Sequence, residues 1–272
     1  MSYTMLIYSH HVKCDVGVVV PTFNRPTETL RAINSVLQQT VLPSEIVIID
    51  DGSKPDCAEE LKKLLSGLDV RLVWNEPSRH PGIARNQGIA LLTTRWVAFL
   101  DSDDFWLPDK LEKQLLVAQK HRVKAICSNA YLDSSSKKIE FSNQKKSRIF
   151  KLKFLLKRNL IINSSVLVDR SLLNEVQGVA CSYSVRGVED YATWLRIASR
   201  TNWFYIGEPL VVYESNSKDS LRISNFFENR YNQINAILDF QSWSESKNRT
   251  KGFFVKLYLK GIAIFVLLDR ND

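Results

Sequence analysis

Short apolar runs alternate with amphipathic segments over the first hundred residues. Residues 16–20 form a β-branched run that Pro21 ends, which predicts a buried strand. Further strands are predicted over residues 45–49, 70–74 and 96–100, and helices are predicted after Thr27 as the N-cap and over about 56–66 and 82–92. Apolar strands that alternate with helices are typical of an α/β domain whose sheet is covered on both faces.

The second half of the chain has a looser pattern. Helices are predicted over 109–121, over 189–200 and from about 226 onward, and strands over 123–128, 163–168 and 209–213. Residues 133–153 are polar and basic. Since no repeat or Gly/Ser linker interrupts the chain, we expect one unit over residues 1–235 and a helical tail over 236–272.

Polar residues follow three of the predicted strands directly. Residues 21–24 read Pro-Thr-Phe-Asn, residues 50 and 51 are both Asp, and residues 101–104 read Asp-Ser-Asp-Asp. Ligands bind at the carboxyl ends of the strands in sheets of this kind. The three polar ends therefore predict one binding site.

The run from Asp101 to Asp104 is the sharpest chemical feature of that edge. Closely spaced carboxylates are the ligands that Mn²⁺ or Mg²⁺ prefers, and such an ion neutralises the charge of a diphosphate. The alternative is a loop of solvated acids. Asp50 and Asp51 at a neighbouring strand end disfavour that alternative, because clustered carboxylates repel unless a cation binds.

The charge distribution changes what the composition implies. The chain of 272 residues is 44% hydrophobic and 24% charged, which excludes a disordered or fibrous protein. Its net charge of +8 suggests an anionic partner. However, residues 137–158 hold nine basic residues against Glu140 alone, and 247–272 hold six against two acids, so the remaining body is mildly acidic.

Targeting and redox signals are weak. Four scattered cysteines, no signal-peptide pattern and no apolar run of about 20 residues predict a cytoplasmic protein that does not cross a membrane by itself.

Five motifs occur in a fixed order over about residues 15–215. They are VVVPTFNR at 18–25, IIDDGS at 48–53, ARNQG at 84–88, FLDSDD at 99–104 and EDYATWLR at 189–196. On these motifs the chain resembles the family 2 glycosyltransferases. The resemblance implies a GT-A (Rossmann-like) α/β fold, with a mixed sheet flanked by helices and a C-terminal helical tail. It also implies transfer of a sugar from a nucleotide diphosphate with inversion at the anomeric carbon.

The resemblance assigns the halves of the unit and the residues of the donor site. Residues 14–105 would form the nucleotide-binding half and 106–235 the acceptor half. Nucleotide contacts are expected from Pro21, Thr22, Phe23, Asn24, Arg25, Asp51, Arg85, Asp101 and Ser102. Asp51 would hydrogen-bond a uracil ring, and Asp103, with Asp101, would hold Mn²⁺ or Mg²⁺ as the cofactor.

The resemblance assigns Asp190 as the general base. An inverting displacement needs one carboxylate to take the proton of the acceptor hydroxyl. The alternative for Glu189 and Asp190 is two acids that merely favour the first turn of a helix. We expect Glu189, Trp106 and Trp194 to contact the acceptor, although tryptophans are as often core residues.

The chain departs from the family pattern in its histidines. Many relatives carry a histidine after the last strand of the catalytic unit, whereas residues 212–220 contain none. Asn216 or water would then take its place near the metal. His80 we assign to a surface loop.

Family habit and the basic segments together suggest the wider context. We expect a UDP-hexose donor, with glucose or galactose favoured, and a lipid-linked saccharide acceptor of O-antigen or capsule biosynthesis. Residues 251–268 interleave lysines with apolar residues in the manner of a helix at an anionic membrane surface, and a helix docked on the body is the alternative. Residues 137–158 are a solvated loop or approach a lipid diphosphate. We therefore expect peripheral contact with the inner face of the cell membrane.

Two other classes of function compete with this interpretation. A nucleic-acid-binding protein is suggested by the overall charge alone, but it would need basic and aromatic residues along a groove-sized surface. We expect no nucleic-acid partner, because the body is acidic. A catalytically inactive sugar-nucleotide scaffold and a transferase with a non-UDP donor also remain open.

Overall fold

The computed structural model describes residues 13–78, 80–134, 137–214 and 226–246. The strands are β1 Lys13–Thr22, β2 Leu42–Asp50, β3 Arg71–Trp74, β4 Trp96–Phe99, β5 Phe105–Trp106, β6 Ala125–Ser134, β7 Lys137–Glu140, β8 Arg148–Phe150, β9 Leu167–Asp169 and β10 Trp203–Glu214. The helices are α1 Pro26–Leu37, α2 Pro55–Leu64, α3 Pro81–Leu91, α4 Lys110–His121, α5 Leu152–Leu155, α6 Arg170–Glu175, α7 Glu189–Ala198 and α8 Phe226–Ser246. Short 3₁₀ helices cover Asn163–Ser165 and Tyr183–Val185.

All ten strands belong to one mixed sheet in the order β3-β2-β1-β4-β9-β6-β10-β5, with β7 beside β6 and β8 beside β10. Strands β1 to β4 run parallel, β9 is antiparallel to both of its neighbours, and β5 is antiparallel to β10. Val18 and Val20 belong to one buried cluster with residues of α1 and α4, whereas Val19 belongs to a second cluster with residues of α3, α7 and α8. This confirms the mixed α/β sheet flanked by helices.

Helix α1 begins two residues earlier than the sequence predicts. Pro26 occupies the first helical turn, and Arg25 stands at the N-cap position without a side-chain hydrogen bond there. Thr27 as the N-cap is therefore wrong. Proline has a fixed φ that suits the first helical position, so it sets the start of this helix.

The second half contains more strand than its pattern predicts. The expected strand over 163–168 is a 3₁₀ turn followed by β9, and the stretch 137–158, expected as a solvated loop, contains β7, β8 and α5. Strand β10 begins at Trp203 instead of residue 209, and its pairing with β6 shifts register between Ile206 and Pro209. That irregularity breaks the alternation that identifies a strand in a sequence.

Helix α8 packs on the body of the protein. Ala236, Ile237 and Phe240 are fully buried, and Asp239 accepts a hydrogen bond from Arg196 of α7 at 2.6 Å. The boundary expected after residue 235 lies inside this helix, so residues 236–246 belong with the body. The amphipathic segment 251–268 lies outside the described residues. Within the described residues, no helix combines the length and the apolar character needed to span a bilayer.

Candidate active site

A cavity of about 600 Å³ opens at the carboxyl ends of β1 and β4. Its walls include Pro21, Thr22, Phe23, Asn24, Arg25, Asp51, Arg85, Asp101, Ser102, Asp103, Glu189 and Asp190. Residues expected at the nucleotide, the metal and the acceptor therefore line one space.

Hydrogen bonds to the loop after β2 fix the loop at the end of β1. Asn24 adopts φ +53°, a left-handed conformation that asparagine tolerates better than most residues. Its backbone N–H donates to Ser53 Oγ at 2.7 Å, and its Oδ1 accepts from Lys54 N at 2.8 Å. Phe23 stays 52% exposed at the cavity, so its ring is available to a ligand.

The two aspartates after β2 have different surroundings. Asp50 is buried, and its Oδ1 accepts from Ser53 N at 2.9 Å, which shapes the turn. Asp51 lines the cavity, and its Oδ1 accepts from Ser78 N at 2.8 Å. The second carboxylate is thus held in place at the cavity wall.

The acidic loop after β4 is held by residues from the second half of the chain. Asp101 N donates to Ser164 Oγ at 3.0 Å, and Asp101 Oδ1 accepts from Asn163 Nδ2 at 2.7 Å. Asp104 is buried and accepts from Glu214 N at 3.0 Å. Burial, reinforced by the Asp101 and Asp103 carboxylates, raises the pKa of Asp104 well above its usual range.

Arg85 connects the acidic loop to the start of α7. Its Nη2 donates to Asp101 Oδ1 at 2.7 Å and its Nη1 donates to Glu189 Oε1 at 2.6 Å. Burial alone lowers the pKa of this guanidinium, but Asp101 and Glu189 outweigh that effect and raise it. Arg85 therefore stays charged and ties the two sides of the cavity together.

Asp190 lies beside that ion pair, in the first turn of α7. It lines the cavity, and its Oδ1 accepts from Tyr191 N at 2.6 Å. The neighbouring Glu189 accepts from Gly187 N at 2.6 Å through its second oxygen. A carboxylate at a helix N-terminus that faces a cavity is well placed to take a proton from a bound hydroxyl group.

The residues that could hold a divalent ion are two carboxylates. Asp101 and Asp103 both line the cavity, and Asp103 Oδ2 accepts from Arg25 Nη1 at 2.6 Å. No group of three His, Cys, Asp or Glu side chains suited to a metal occurs in the part of the chain that the structure describes. Mg²⁺ commonly takes one or two carboxylates and completes its shell with phosphate and water. Asp101 and Asp103 fit an ion of that kind.

The sequence profile described as glycosyl transferase family 2 matches residues 17–176, which is more than half of the chain. This protein belongs to glycosyl transferase family 2.

Two characterised relatives of this family 2 glycosyltransferase come from Escherichia coli. WfgD, a UDP-Glc:alpha-D-GlcNAc-diphosphoundecaprenol beta-1,3-glucosyltransferase, is 28% identical over 83% of this chain and 86% of its own length. WfaP, described in the same words, is 28% identical over 68% of this chain and 70% of its own length.

Solved structures of TarS from S. aureus have the same fold. The complex of TarS residues 1–349 with UDP-GlcNAc superposes with a TM-score of 0.65 at 17% identity, covering 88% of this chain and 73% of that one. Longer TarS matches over 44% of its length. The likeness shows that this family 2 glycosyltransferase has the GT-A fold.

Two expected acceptor contacts are not on the cavity wall. Trp106 is 3% exposed and its Nε1 donates to Ser164 O at 2.8 Å, and Trp194 is 1% exposed and packs between Phe99 and Trp203. Both assignments are corrected, because a buried ring cannot offer its face to a sugar. Each indole belongs to the hydrophobic core.

His80 is not a surface-loop residue either. It is fully buried at the N-cap of α3, where its Nδ1 accepts from Gly82 N at 3.1 Å. The surface-loop assignment is wrong, because the ring caps the helix that carries Arg85. Asn216, expected in place of the family's histidine, lies outside the described residues.

The sequence-based predictions miss three residues at the site. Asn163 and Ser164 hold the acidic loop from a segment more than 60 positions away, and Arg186 lines the cavity from an irregular segment. Only the Asn-Ser-Ser turn composition at 163–165 hints at such a role.

Proposed function

We propose that this family 2 glycosyltransferase moves a hexose from a UDP-sugar to a saccharide carried on a lipid diphosphate, with inversion and with Asp190 as the general base. The observation that carries the proposal is the cavity itself. It joins Asp51 and the acidic loop, on the sheet side, to Asp190 on α7, so donor and acceptor groups would meet in one space.

The donor assignment rests on the nucleotide half and on the relatives. Asp51 would bind the uracil ring, with Phe23 exposed beside it. Both E. coli relatives are named as users of UDP-Glc, and a TarS complex contains UDP-GlcNAc. Among hexoses we favour glucose, with galactose as the second choice.

Asp190 would accept the proton of the attacking hydroxyl as the bond to the anomeric carbon forms. A positioned base contributes typically 10²–10⁴-fold to a rate. The neighbouring Arg85–Glu189 ion pair at 2.6 Å fixes the first turn of α7, so the position of Asp190 is set before substrate arrives. Asp190 itself would orient the hydroxyl toward the sugar.

Asp103, together with Asp101, would hold Mn²⁺ or Mg²⁺. When bound, such an ion supplies Lewis-acid stabilisation of the leaving nucleoside diphosphate. Arg25 donates to Asp103 Oδ2 and would keep that carboxylate oriented toward the donor. The acceptor hydroxyl would then approach from the Asp190 side.

Release of UDP from a panel of UDP-sugars, with and without Mn²⁺, tests this proposal. We expect UDP-glucose or UDP-galactose to give the fastest metal-dependent release. Release of the nucleoside diphosphate from a GDP- or dTDP-sugar instead would show that the donor is not a UDP-sugar. Tight UDP-sugar binding without release or transfer would favour the inactive scaffold.

A lipid-linked acceptor would bring the site near a membrane, and we propose that exposed lysines help to hold it there. Lys151, Lys153 and Lys157 are exposed around α5, beside the buried Phe150 and Leu155. Each basic residue near an anionic bilayer adds about 1 kcal/mol. Replacing the three lysines with Gln should therefore weaken binding to phosphatidylglycerol vesicles by about tenfold or more, and unchanged partitioning would contradict this contact.

A further inference from the structure

Arg186 differs from the other two arginines of the cavity. Arg25 and Arg85 each donate to a carboxylate at 2.6–2.7 Å. Arg186 is exposed on the cavity wall and, within the part of the chain that the structure describes, forms no ion pair. Its guanidinium is therefore available to an anion that enters the cavity.

The segment that carries Arg186 is fixed on both sides. Because His80 Nδ1 accepts from Gly82 N, its Nε2 carries the hydrogen and donates to Ser182 O at 3.1 Å. Ser182 Oγ also donates to Asp239 Oδ1 of α8 at 3.0 Å. Val185, directly before Arg186, is fully buried.

The residue after Arg186 is fixed as well. Gly187 N donates to Glu189 Oε2 at 2.6 Å, and Glu189 in turn is held by Arg85. Arg186 thus projects from a braced backbone four positions before Asp190. Bracing of this kind lowers the entropic cost of binding a ligand.

We propose that Arg186 binds the diphosphate of the lipid-linked acceptor and so selects acceptors that carry one. Guanidinium groups bind phosphate oxygens through paired, charge-assisted hydrogen bonds. In an inverting displacement the attacking hydroxyl and the leaving diphosphate lie on opposite sides of the anomeric carbon. Arg186 lines the same cavity as the proposed base Asp190 and precedes it by four positions, so an acceptor bound at Asp190 would lie within the space that Arg186 also lines.

This inference rests on the proposed function, and the diphosphate of the donor is the competing source of the same chemistry. The experiment compares wild type with Arg186→Gln, Arg186→Lys and, as a matched control at an exposed position outside the cavity, Arg71→Gln. Each variant is measured with a synthetic GlcNAc-diphosphoryl alkyl acceptor and with the alkyl glycoside of GlcNAc that lacks phosphate. UDP affinity is measured by calorimetry.

For Arg186→Gln we expect the KM for the diphosphoryl acceptor to rise about tenfold or more, because a hydrogen bond to a charged group contributes about 1.5–3 kcal/mol. The KM for the phosphate-free acceptor and the Kd for UDP should stay within about twofold, a change worth less than 0.5 kcal/mol. Arg186→Lys should recover part of the loss, and Arg71→Gln should behave as wild type.

Two results would overturn the inference. A weaker affinity for UDP with an unchanged acceptor KM would assign Arg186 to the donor, and unchanged values for both would remove it from ligand binding. Wild type that transfers to neither acceptor would instead contradict the proposed function, on which the inference depends. Equal unfolding midpoints of the variants show that any loss is local.

Discussion

Arg85 is a buried cation that pairs with two carboxylates at the site. Its motif identifies it as a nucleotide contact, but the structure directs two of its nitrogens at Asp101 and Glu189. Arg85 is separated from Asp101 by 16 positions in the chain and from Glu189 by 104. No local sequence pattern predicts contacts between residues that far apart. Sequence therefore identifies the residue, and only the fold identifies its partners.

Arg85→Met should destabilise the protein strongly. Glu189 is 4% exposed, and without the guanidinium its charge is buried beside no cation, which costs about 3–5 kcal/mol. Chemical denaturation measures this loss as a lower free energy of unfolding. Arg85→Lys should lose less. A change below about 0.5 kcal/mol for Arg85→Met would show that the pair is not needed for stability.

Lys110 is a buried amine away from the cavity. Its Nζ donates to Gln114 Oε1 at 2.8 Å and lies 3.9 Å from the centre of the Trp106 ring. Burial lowers the pKa of this amine well below its usual range. Between that lowered pKa and about 10.5, the unfolded chain keeps a proton that the folded chain has released, so stability rises with pH there.

Lys110→Met should flatten that dependence and stabilise the protein at neutral pH by about 1 kcal/mol, because methionine fills the same space without a charge to desolvate. Denaturant melts of both proteins across neutral and alkaline pH measure the effect. A parallel pH dependence in wild type and variant would contradict a lowered pKa.

Among the elements, α3 positions the site most directly. It carries Arg85 and packs against β1, where a Cβ on Gly88 would lie 2.4 Å from Val19 Cγ1. The sequence pattern predicts a helix over about 82–92, and the helix of the structure, Pro81–Leu91, lies one residue earlier. Its close approach to the strand could not be predicted, because it depends on the size of a residue in another element.

Gly88→Ala should push α3 away from β1. The added methyl group meets the short, branched side chain of Val19 in a packed core, which costs about 1–3 kcal/mol, and it should weaken UDP binding by moving Arg85. Ala90→Ser is the matched control, since it adds one heavy atom to an exposed position of the same helix. Thermal unfolding and UDP calorimetry compare the two. Equal stability of both variants would contradict the close packing.

In the second half of the chain too, contacts between distant elements could not be predicted from local sequence. The polar strand ends of β1, β2 and β4 are local features, and all three meet at the cavity as the pattern predicts. The 3₁₀ turn at Asn163–Ser165 is read as strand because its apolar flanks resemble one, yet its side chains hold the acidic loop. Polar groups that bond across the fold have no period in sequence.

Across the whole molecule, the excess of basic residues is separate from the cluster of carboxylates at the cavity. The excess positive charge lies in residues 137–158 and 247–272, whereas the cavity gathers five carboxylates around three arginines. For two tryptophans the prediction from sequence was wrong. Trp106 lies just after the acidic motif and Trp194 lies within the motif at 189–196, but both indoles are in the core. A large apolar side chain stabilises the fold more when it is buried than when it is exposed.

Asp190 is the group proposed to take the proton of the acceptor hydroxyl. The most direct measurement compares wild type with Asp190→Asn in transfer from UDP-glucose or UDP-galactose to a GlcNAc-diphosphoryl alkyl acceptor. We predict that kcat falls about a thousandfold, because the amide cannot accept the proton, while the Kd for UDP stays within about threefold. Transfer by Asp190→Asn at the wild-type rate would show that Asp190 is not the general base.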